Sequence, residues 1–250
     1  VTGSCFKLST FDDVDQYFLA AYLTCRYGQI LKDRLKTNLL ISYLAKDDLY
    51  GLPIPSLSLA LKLRIRDVFR LCFEQDRSKR VHLKTAEETL TRALGLDSWK
   101  TPEPLSYLRS ASEVFAVGRI DAQHFQPRYE ALVDLIDATG QGAHLGDWLN
   151  VNKRGEQPKY GGEGLSVVNS KHVLRGEVRL DEDNRVAKFD EDSLLIQNGD
   201  VLINGTGVGT IGRAAPYLHA NPAIPDNHVT ILRPKKGLDA VYLSVFLNSM

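Results

Sequence analysis

Apolar residues recur at two different periods along this chain, and the change of period divides it. Between residue 13 and about residue 35, Phe18, Leu19, Tyr22 and Leu23 fall at spacings of three and four, the repeat of one helix face. Asp12, Asp13 and Asp15 place negative charge where the helix dipole is positive, so the spacing predicts a helix that begins there. Residues 39–50 are apolar and then acidic. They run into Gly51-Leu52-Pro53-Ile54-Pro55, which is expected to be extended because each proline disfavours helix in the residue before it.

Residues 56–94 contain neither proline nor glycine. Leu57, Leu61, Ile65, Val68, Phe69 and Cys72 trace one apolar stripe, which Leu83, Ala86, Leu90, Ala93 and Leu94 resume before Gly95 supplies a stop. A helix of that length reaches about 60 Å at 1.5 Å per residue. It is too long to lie on a compact domain throughout, so its stripe is expected to pair with another long helix. Residues 74–80 are polar enough to break it, and two consecutive helices of an ordinary bundle are the alternative. Residues 97–118 form a connector with Pro102, Pro104 and Gly118, anchored by Trp99, Tyr107 and Phe115, and a short helix is predicted over 126–138.

Beyond Gly140 the helical period gives way to short β-prone runs cut by glycine: 165–168, 171–174, 187–189, 200–203 and 228–232. Residues 140–237 therefore read as a mostly β domain with long polar loops, and another helical fragment opens at Asp239. The fold class is α+β: a long spacer helix of coiled-coil type linked to a mostly β domain with a few short helices.

A repeat links the two ends. The segment from Asp15 to Leu23 lines up with that from Asp239 to Leu247 at an offset of 224 residues. Phe18 answers Tyr242, Tyr22 answers Phe246, and Leu19 and Leu23 answer Leu243 and Leu247. The preceding runs, Cys5-Phe6-Lys7-Leu8 and Val229-Thr230-Ile231-Leu232, match in character. Such self-similarity suggests that the chain starts near the end of one unit and stops at the same point of the next.

Composition sharpens the picture chiefly by exclusion. Hydrophobic residues make up 43% and charged residues 25%, an ordinary core-forming mixture. No apolar run approaches the roughly 18 residues of a membrane span, the first residues do not read as a signal peptide, and Cys5, Cys25 and Cys72 are too few and too scattered for a disulfide framework. A cytoplasmic protein with reduced thiols and no membrane partner is expected. The 31 basic and 31 acidic side chains cancel, but residues 1–100 hold 16 basic against 12 acidic and the rest 15 against 19. Zero net charge excludes a uniformly basic nucleic-acid binder while permitting a local basic face.

Candidate chemistry is sparse. Gly207-Val208-Gly209-Thr210-Ile211-Gly212 fits G-x-G-x-x-G after a predicted strand, yet Pro216, Pro222 and Pro225 leave no room for the helix that would hold a pyrophosphate. A glycine-rich turn is the better account. The six histidines lack H-E-x-x-H or paired-cysteine spacing for zinc, and no G-x-S-x-G elbow occurs. The acidic runs at 181–183 and 190–192 read as a solvated hairpin rather than a cation site. Neither a catalytic apparatus nor a metal site is expected. What remains is binding chemistry in three loop regions: Lys153, Arg154, Lys159 and Tyr160; then Asn169, Ser170, Lys171, His172 and Arg175; then Asn204, Thr206, Thr210 and Arg213. Arg and Lys suit phosphates and guanine edges, and Asn suits adenine edges. On spacing alone, ordinary loop residues are the better description.

Ordered motifs add a family resemblance. The segment from Gly118 to Tyr129 resembles the start of a target recognition domain in the specificity (S) subunits of type I restriction–modification systems. Asn198-Gly199-Asp200-Val201-Leu202-Ile203, followed by Gly205, Gly209, Gly212 and Arg213, is similar to that domain's glycine turn, and the segment from Asp226 to Ser249 resembles its exit. Ile54-Pro55 leading into the long helix, with Ala86-Glu87-Glu88 and Leu94-Gly95-Leu96 at its end, resembles the spacer.

The resemblance implies this division: 1–12 the tail of a first recognition domain, 13–96 a helical spacer, 97–139 a connector and leading helix, and 140–250 a β-rich recognition domain with the start of the next helix. It implies a non-catalytic scaffold that reads one half of a split site in double-stranded DNA. Modification (methyltransferase) and restriction subunits would be its partners; S-adenosylmethionine, ATP and Mg would sit only on those partners, and this chain would bind no cofactor. The residues expected at DNA are Lys153, Arg154, Lys159, Tyr160, Lys171, Asn204, Thr206, Arg213 and Asn227. Those expected to pair helices or dock partners are Leu57, Leu61, Ile65, Val68, Leu83 and Leu90. With one spacer helix in hand, self-association through that stripe is expected. Two other readings are the recognition region of a fused restriction–methylation enzyme and a helical scaffold with a β module that binds protein or carbohydrate.

Overall fold

The computed structural model describes residues 7–10, 12–37, 43–140, 142–181 and 184–249. Cys5 and Phe6 of the predicted first run, residues 39–42 and Glu182-Asp183 lie outside them. The chain divides into two compact units, residues 1–82 and 83–250.

In the first unit the predicted helix over 13–35 is two helices, α1 (Asp13–Thr24) and α2 (Arg26–Arg34). Asp12 caps α1 by accepting from the Asp15 N–H at 2.8 Å. The break falls at Cys25, which is extended. A close approach explains it: a Cβ on Gly28 would lie 2.0 Å from the Tyr22 carbonyl oxygen, so α2 turns back where its third residue is bare backbone. After α3 (Lys46–Tyr50) and the proline segment comes α4 (Leu59–Ala93), continuous for 35 residues, or about 52 Å, of which residues 83–93 fall in the second unit. The polar middle does not interrupt it, because Arg70–Glu74, Arg80–Asp76 and Lys84–Glu88 pair at i,i+4. At its end the N–H of Gly95 reaches Arg92 O and that of Leu96 reaches Thr91 O, the paired bonds of a Schellman stop.

Helix α1 lies along the first half of α4. Phe18, 5% exposed, stacks on Tyr22 and carries the Lys62 ammonium over its ring; Asp15 takes the same ammonium at 2.7 Å. Tyr17 meets Phe73, and the Tyr22 hydroxyl donates to Pro53 O at 2.6 Å. The rest of the stripe is only partly covered. No residue of α4 is buried; Leu61 and Val68 are exposed, while Ile65, Leu83 and Leu90 are half-buried. Leu57 precedes the helix, in the segment that leads into it, which corrects its place on the helix stripe.

The second unit is α+β. After α5 (Ala111–Val117), which Ser110 and Glu113 close with a capping box, and α6 (Pro127–Asp137), the chain enters its strands. They are β1 (Leu149–Arg154), β2 (Tyr160–Gly161), β3 (Leu165–Val168), β4 (Val173–Leu174), β5 (Glu177–Val178), β6 (Val186–Ala187), β7 (Val201–Asn204), β8 (Ala214–Pro216), β9 (Ile224–Pro225) and β10 (Val229–Pro234), followed by α7 (Ala240–Ser249). One antiparallel sheet has the order β1-β10-β7-β8; a second has β2-β6-β3-β9, with β3 and β9 parallel; β4 and β5 form a hairpin. Every predicted β run overlaps a strand, although 171–174 contributes only its last two residues and 187–189 only Ala187. β1 was not predicted because Asn150, Asn152, Lys153 and Arg154 make it polar.

The core lies between these layers. Val168, Ile196, Leu202, Tyr217, Val229 and Ile231 form its main cluster, while Leu149, Val201, Ala214 and Leu232 close against Leu243 of α7. Asp200, 1% exposed, is held by Arg233 through two bonds of 2.7 and 2.9 Å and by the Gln197 N–H. Asn248 of α7 accepts from Ala214 N and donates back to Ala214 O, which fastens the last helix to the edge of β8.

Candidate nucleic-acid interface

Lys153 and Arg154 stand exposed at the end of β1, opposite Ile231 and Thr230 of β10. The next residue fixes them. Gly155 is buried, its N–H donates to Val229 O, and a Cβ there would come within 2.4 Å of Asp226 O and 2.6 Å of Pro225 O. Only glycine lets β1 end against the 225–226 backbone. Asp226 in turn donates its N–H to Val168 O and accepts from His228 N at 2.7 Å, so the turn into β10 is rigid.

That turn joins two of the predicted loop regions. Arg154 Nε donates to Asn227 O at 2.5 Å; His228 shares a hydrogen bond with the Thr206 hydroxyl, and Gly205 N donates to His228 O. Arg154, Asn227, His228 and Thr206 thus form one continuous string. Beside it lies a cleft of about 530 Å³ lined by Lys153, Arg154, Lys159 and Lys188, with Glu156, Asp190 and Asp192 also on its wall. Among the described residues none of the four cations is in an ion pair. Lys171, Arg119 and Arg80, by contrast, each hold a carboxylate within 3 Å. Unpaired surface cations are the groups free to meet phosphate. Tyr160 on β2 carries the Arg185 guanidinium 3.4 Å above its ring.

The remaining expectations divide. Lys171 is engaged by Asp181 at 2.8 Å, and that bond holds the Asp181 carboxyl below the usual range. Arg213 folds back to Gly209 O at 2.6 Å, and Asn227 offers its carbonyl to Arg154. Asn204 is a correction: it is 1% exposed and donates to Ser170 O and Val173 O, so it supports the fold and has no access to a ligand. Buried His172 likewise accepts from Asn169 N. Lys188, Arg185 and His228 were not singled out from the sequence. Lys188 follows the apolar pair Val186-Ala187 of β6, and only the sheet pairing of Ala187 with Tyr160 brings it to Lys159.

The G-x-G-x-x-G segment is a turn between β7 and β8, with no helix behind it, as its prolines imply. Among the described residues no group of three or more His, Cys, Asp or Glu is placed to hold a metal ion, and no helix is long and apolar enough to cross a membrane.

No protein-family model matches the chain, and no curated protein matches it. Among solved structures, the HsdS subunit from Thermoanaerobacter tengcongensis is 17% identical and aligns with 93% of this chain and 52% of its own, at a TM-score of 0.36. A chain from a structure described as the basis of complex assembly and conformational transition of the type I R-M system is 14% identical, with 95% and 50% covered and a TM-score of 0.36. The S subunit of the type I restriction–modification system from M. genitalium is 16% identical, with 96% and 55% covered and a TM-score of 0.30. The chain spans about half the length of these solved chains. At identities of 14–17% and TM-scores of 0.30–0.36, no residue's role carries over from these proteins to this chain.

Proposed function

We propose that the second unit binds double-stranded DNA along the edge made by the end of β1, the loop into β2 and the turn into β10. The unit would act as the recognition part of a non-catalytic specificity subunit of a type I restriction–modification enzyme. The observation that carries the reading is the cleft with four unpaired cations, Lys153, Arg154, Lys159 and Lys188, set beside the Arg154–Asn227–His228–Thr206 string. Cations would hold phosphates and fix register, while Asn227, His228 and Thr206 offer the donors and acceptors that base edges require. The exposed stripe of α4, which includes Leu61 and Val68, is suited to a second long helix and to the modification and restriction subunits. S-adenosylmethionine, ATP and Mg would be supplied on those partners.

The test is anisotropy of a labelled mixed-sequence duplex at micromolar protein, from about 50 to 200 mM salt. Binding that weakens linearly in log–log form is expected. Replacing Lys153, Arg154, Lys159 and Lys188 by Ala should flatten the slope by about 0.9 for each phosphate that is no longer neutralised. Absence of binding at the lowest salt, or an unchanged slope in the variant, defeats the reading.

A further inference from the structure

The turn between β7 and β8 is built rigidly yet presents apolar side chains to solvent. Val208 is fully exposed at its tip and Ile211 is 66% exposed. Five backbone bonds brace it: Thr210 N and Ile211 N to Gly207 O, Gly212 N to Asn204 O, Asn204 N to Arg213 O, and Arg213 N to Thr210 O. The Arg213 guanidinium clamps Gly209 O, and the Thr210 hydroxyl donates to Thr206 O. Gly207, Gly209 and Gly212 have φ of +106°, +76° and +80°, which side chains rarely adopt. Buried Asn204 roots the base of the turn in the core. Neither valine nor isoleucine is a residue that turn geometry requires, and a polar residue would serve the same backbone while remaining solvated.

We propose that Val208 and Ile211 form a wedge that enters a base step of duplex DNA, unstacks it and bends the helix. This rests on the DNA-binding reading and deepens it. Thr206, at the foot of the turn, bonds His228, and Asn227 beside His228 bonds Arg154, so the tip belongs to the same edge as the cations. Cations on the backbone beside a stiff apolar point are the arrangement with which architectural proteins kink DNA. The cost of unstacking is recovered through the wider interface that the bend allows. A floppy loop would forfeit that gain in ordering entropy, whereas this turn is already held by its own bonds. The wedge would favour flexible pyrimidine–purine steps, so part of the sequence preference would come from deformability rather than from hydrogen bonds.

The experiment uses the whole chain and a duplex of about 30 base pairs, dye-labelled at both ends, with 2-aminopurine at a central TpA step. Expected are salt-dependent binding, an increase in end-to-end energy transfer and a rise in 2-aminopurine fluorescence. The Val208→Ser/Ile211→Ser variant should retain the fold by circular dichroism and the same salt slope. It should lose both optical changes and bind the TpA duplex about tenfold more weakly, the effect of one mismatched base pair. Binding by the parent protein to a straight, stacked duplex overturns the wedge while leaving the DNA-binding reading intact. So does a fall in affinity on replacing thymine by uracil without any bend, which would indicate methyl packing in the major groove. No binding at all at low salt overturns both.

Discussion

Strand β7 and helix α4 are both apolar, and they end in opposite states. Val201 and Leu202 are adjacent in sequence and both fully buried, because one faces the cluster under α7 and the other the main core. Along α4, by contrast, Leu59, Val68, Leu71, Phe73 and Val81 are all more than half exposed. The residue types are alike; the layering differs. The strand is covered on two faces by its own unit, as central strands with continuous apolar runs are. The helix is covered by α1 over part of one half, and it is held by its own backbone, i,i+4 ion pairs and a Schellman stop. Secondary structure in α4 is therefore complete while its burial is not.

The sharpest way to break that contrast is a matched pair of truncations. Leu202→Ala opens a cavity in the main cluster and should lower unfolding stability by about 2–5 kcal/mol in a urea titration. Val68→Ala removes a side chain already in water and should cost less than about 0.5 kcal/mol. Similar losses at the two sites would mean that the α4 stripe is covered in solution. A second copy is then the first suspect, and sedimentation of Val68→Asp against the parent would reveal it by a fall in mass.

Gly155 tests whether the same rigid packing positions the cations. Gly155→Ala drives a methyl into the Asp226 and Pro225 carbonyls, so backbone rather than a flexible side chain must yield. The expected cost is about 1–3 kcal/mol, as for overpacking. DNA affinity should fall further than for Lys153→Ala alone, because Arg154 and the 226–228 turn move together. Unchanged stability with unchanged binding would show that β1 ends loosely.

The fold was legible where one physical rule acted alone. The stripe and Gly95 located α4 to within three residues of its start and one of its end, because the apolar period is that of a helix and neither proline nor glycine interrupts residues 56–94. The split at Cys25 was not legible, since it depends on Gly28 meeting Tyr22 O across a turn. The candidate site was readable by residue type and less so by partner. Lys153, Arg154 and Lys159 are brought together, whereas Asn204, equally polar in sequence, is consumed by Ser170 and Val173 carbonyls. Lys188 and His228 became visible only through strand pairing. The repeat across the ends has a local counterpart: Phe18–Tyr22 and Tyr242–Phe246 stack with the same 24° interplanar angle, 6.4 and 6.5 Å apart.

The smallest effect separates the two regions by pH. His172 sits 2% exposed behind the β4–β5 hairpin, its Nδ1 accepting from Asn169 N and its Nε2 3.5 Å from an Asp181 oxygen. Burial, with the neighbouring Lys171 charge, lowers its pKa below the ordinary histidine value, and Asp181 and Asp226 oppose that only in part. The unfolded chain therefore takes up the proton first as pH falls, and stability must decline from about pH 6.5 down to the lower folded value. Asp181 acts in the same direction further down: its Lys171 bond depresses its pKa, so its contribution persists above the ordinary carboxylate range and is lost at more acid pH. His172→Gln should flatten the decline between about pH 7 and 5 while leaving the acid limb in place. No histidine of α4 is buried, so unfolding followed by a probe on its residues 59–82, which lie in the first unit, should show the decline only if the two units melt together. A pH-independent midpoint for the helix, beside a falling one for the sheet, would make the helix a separate cooperative unit.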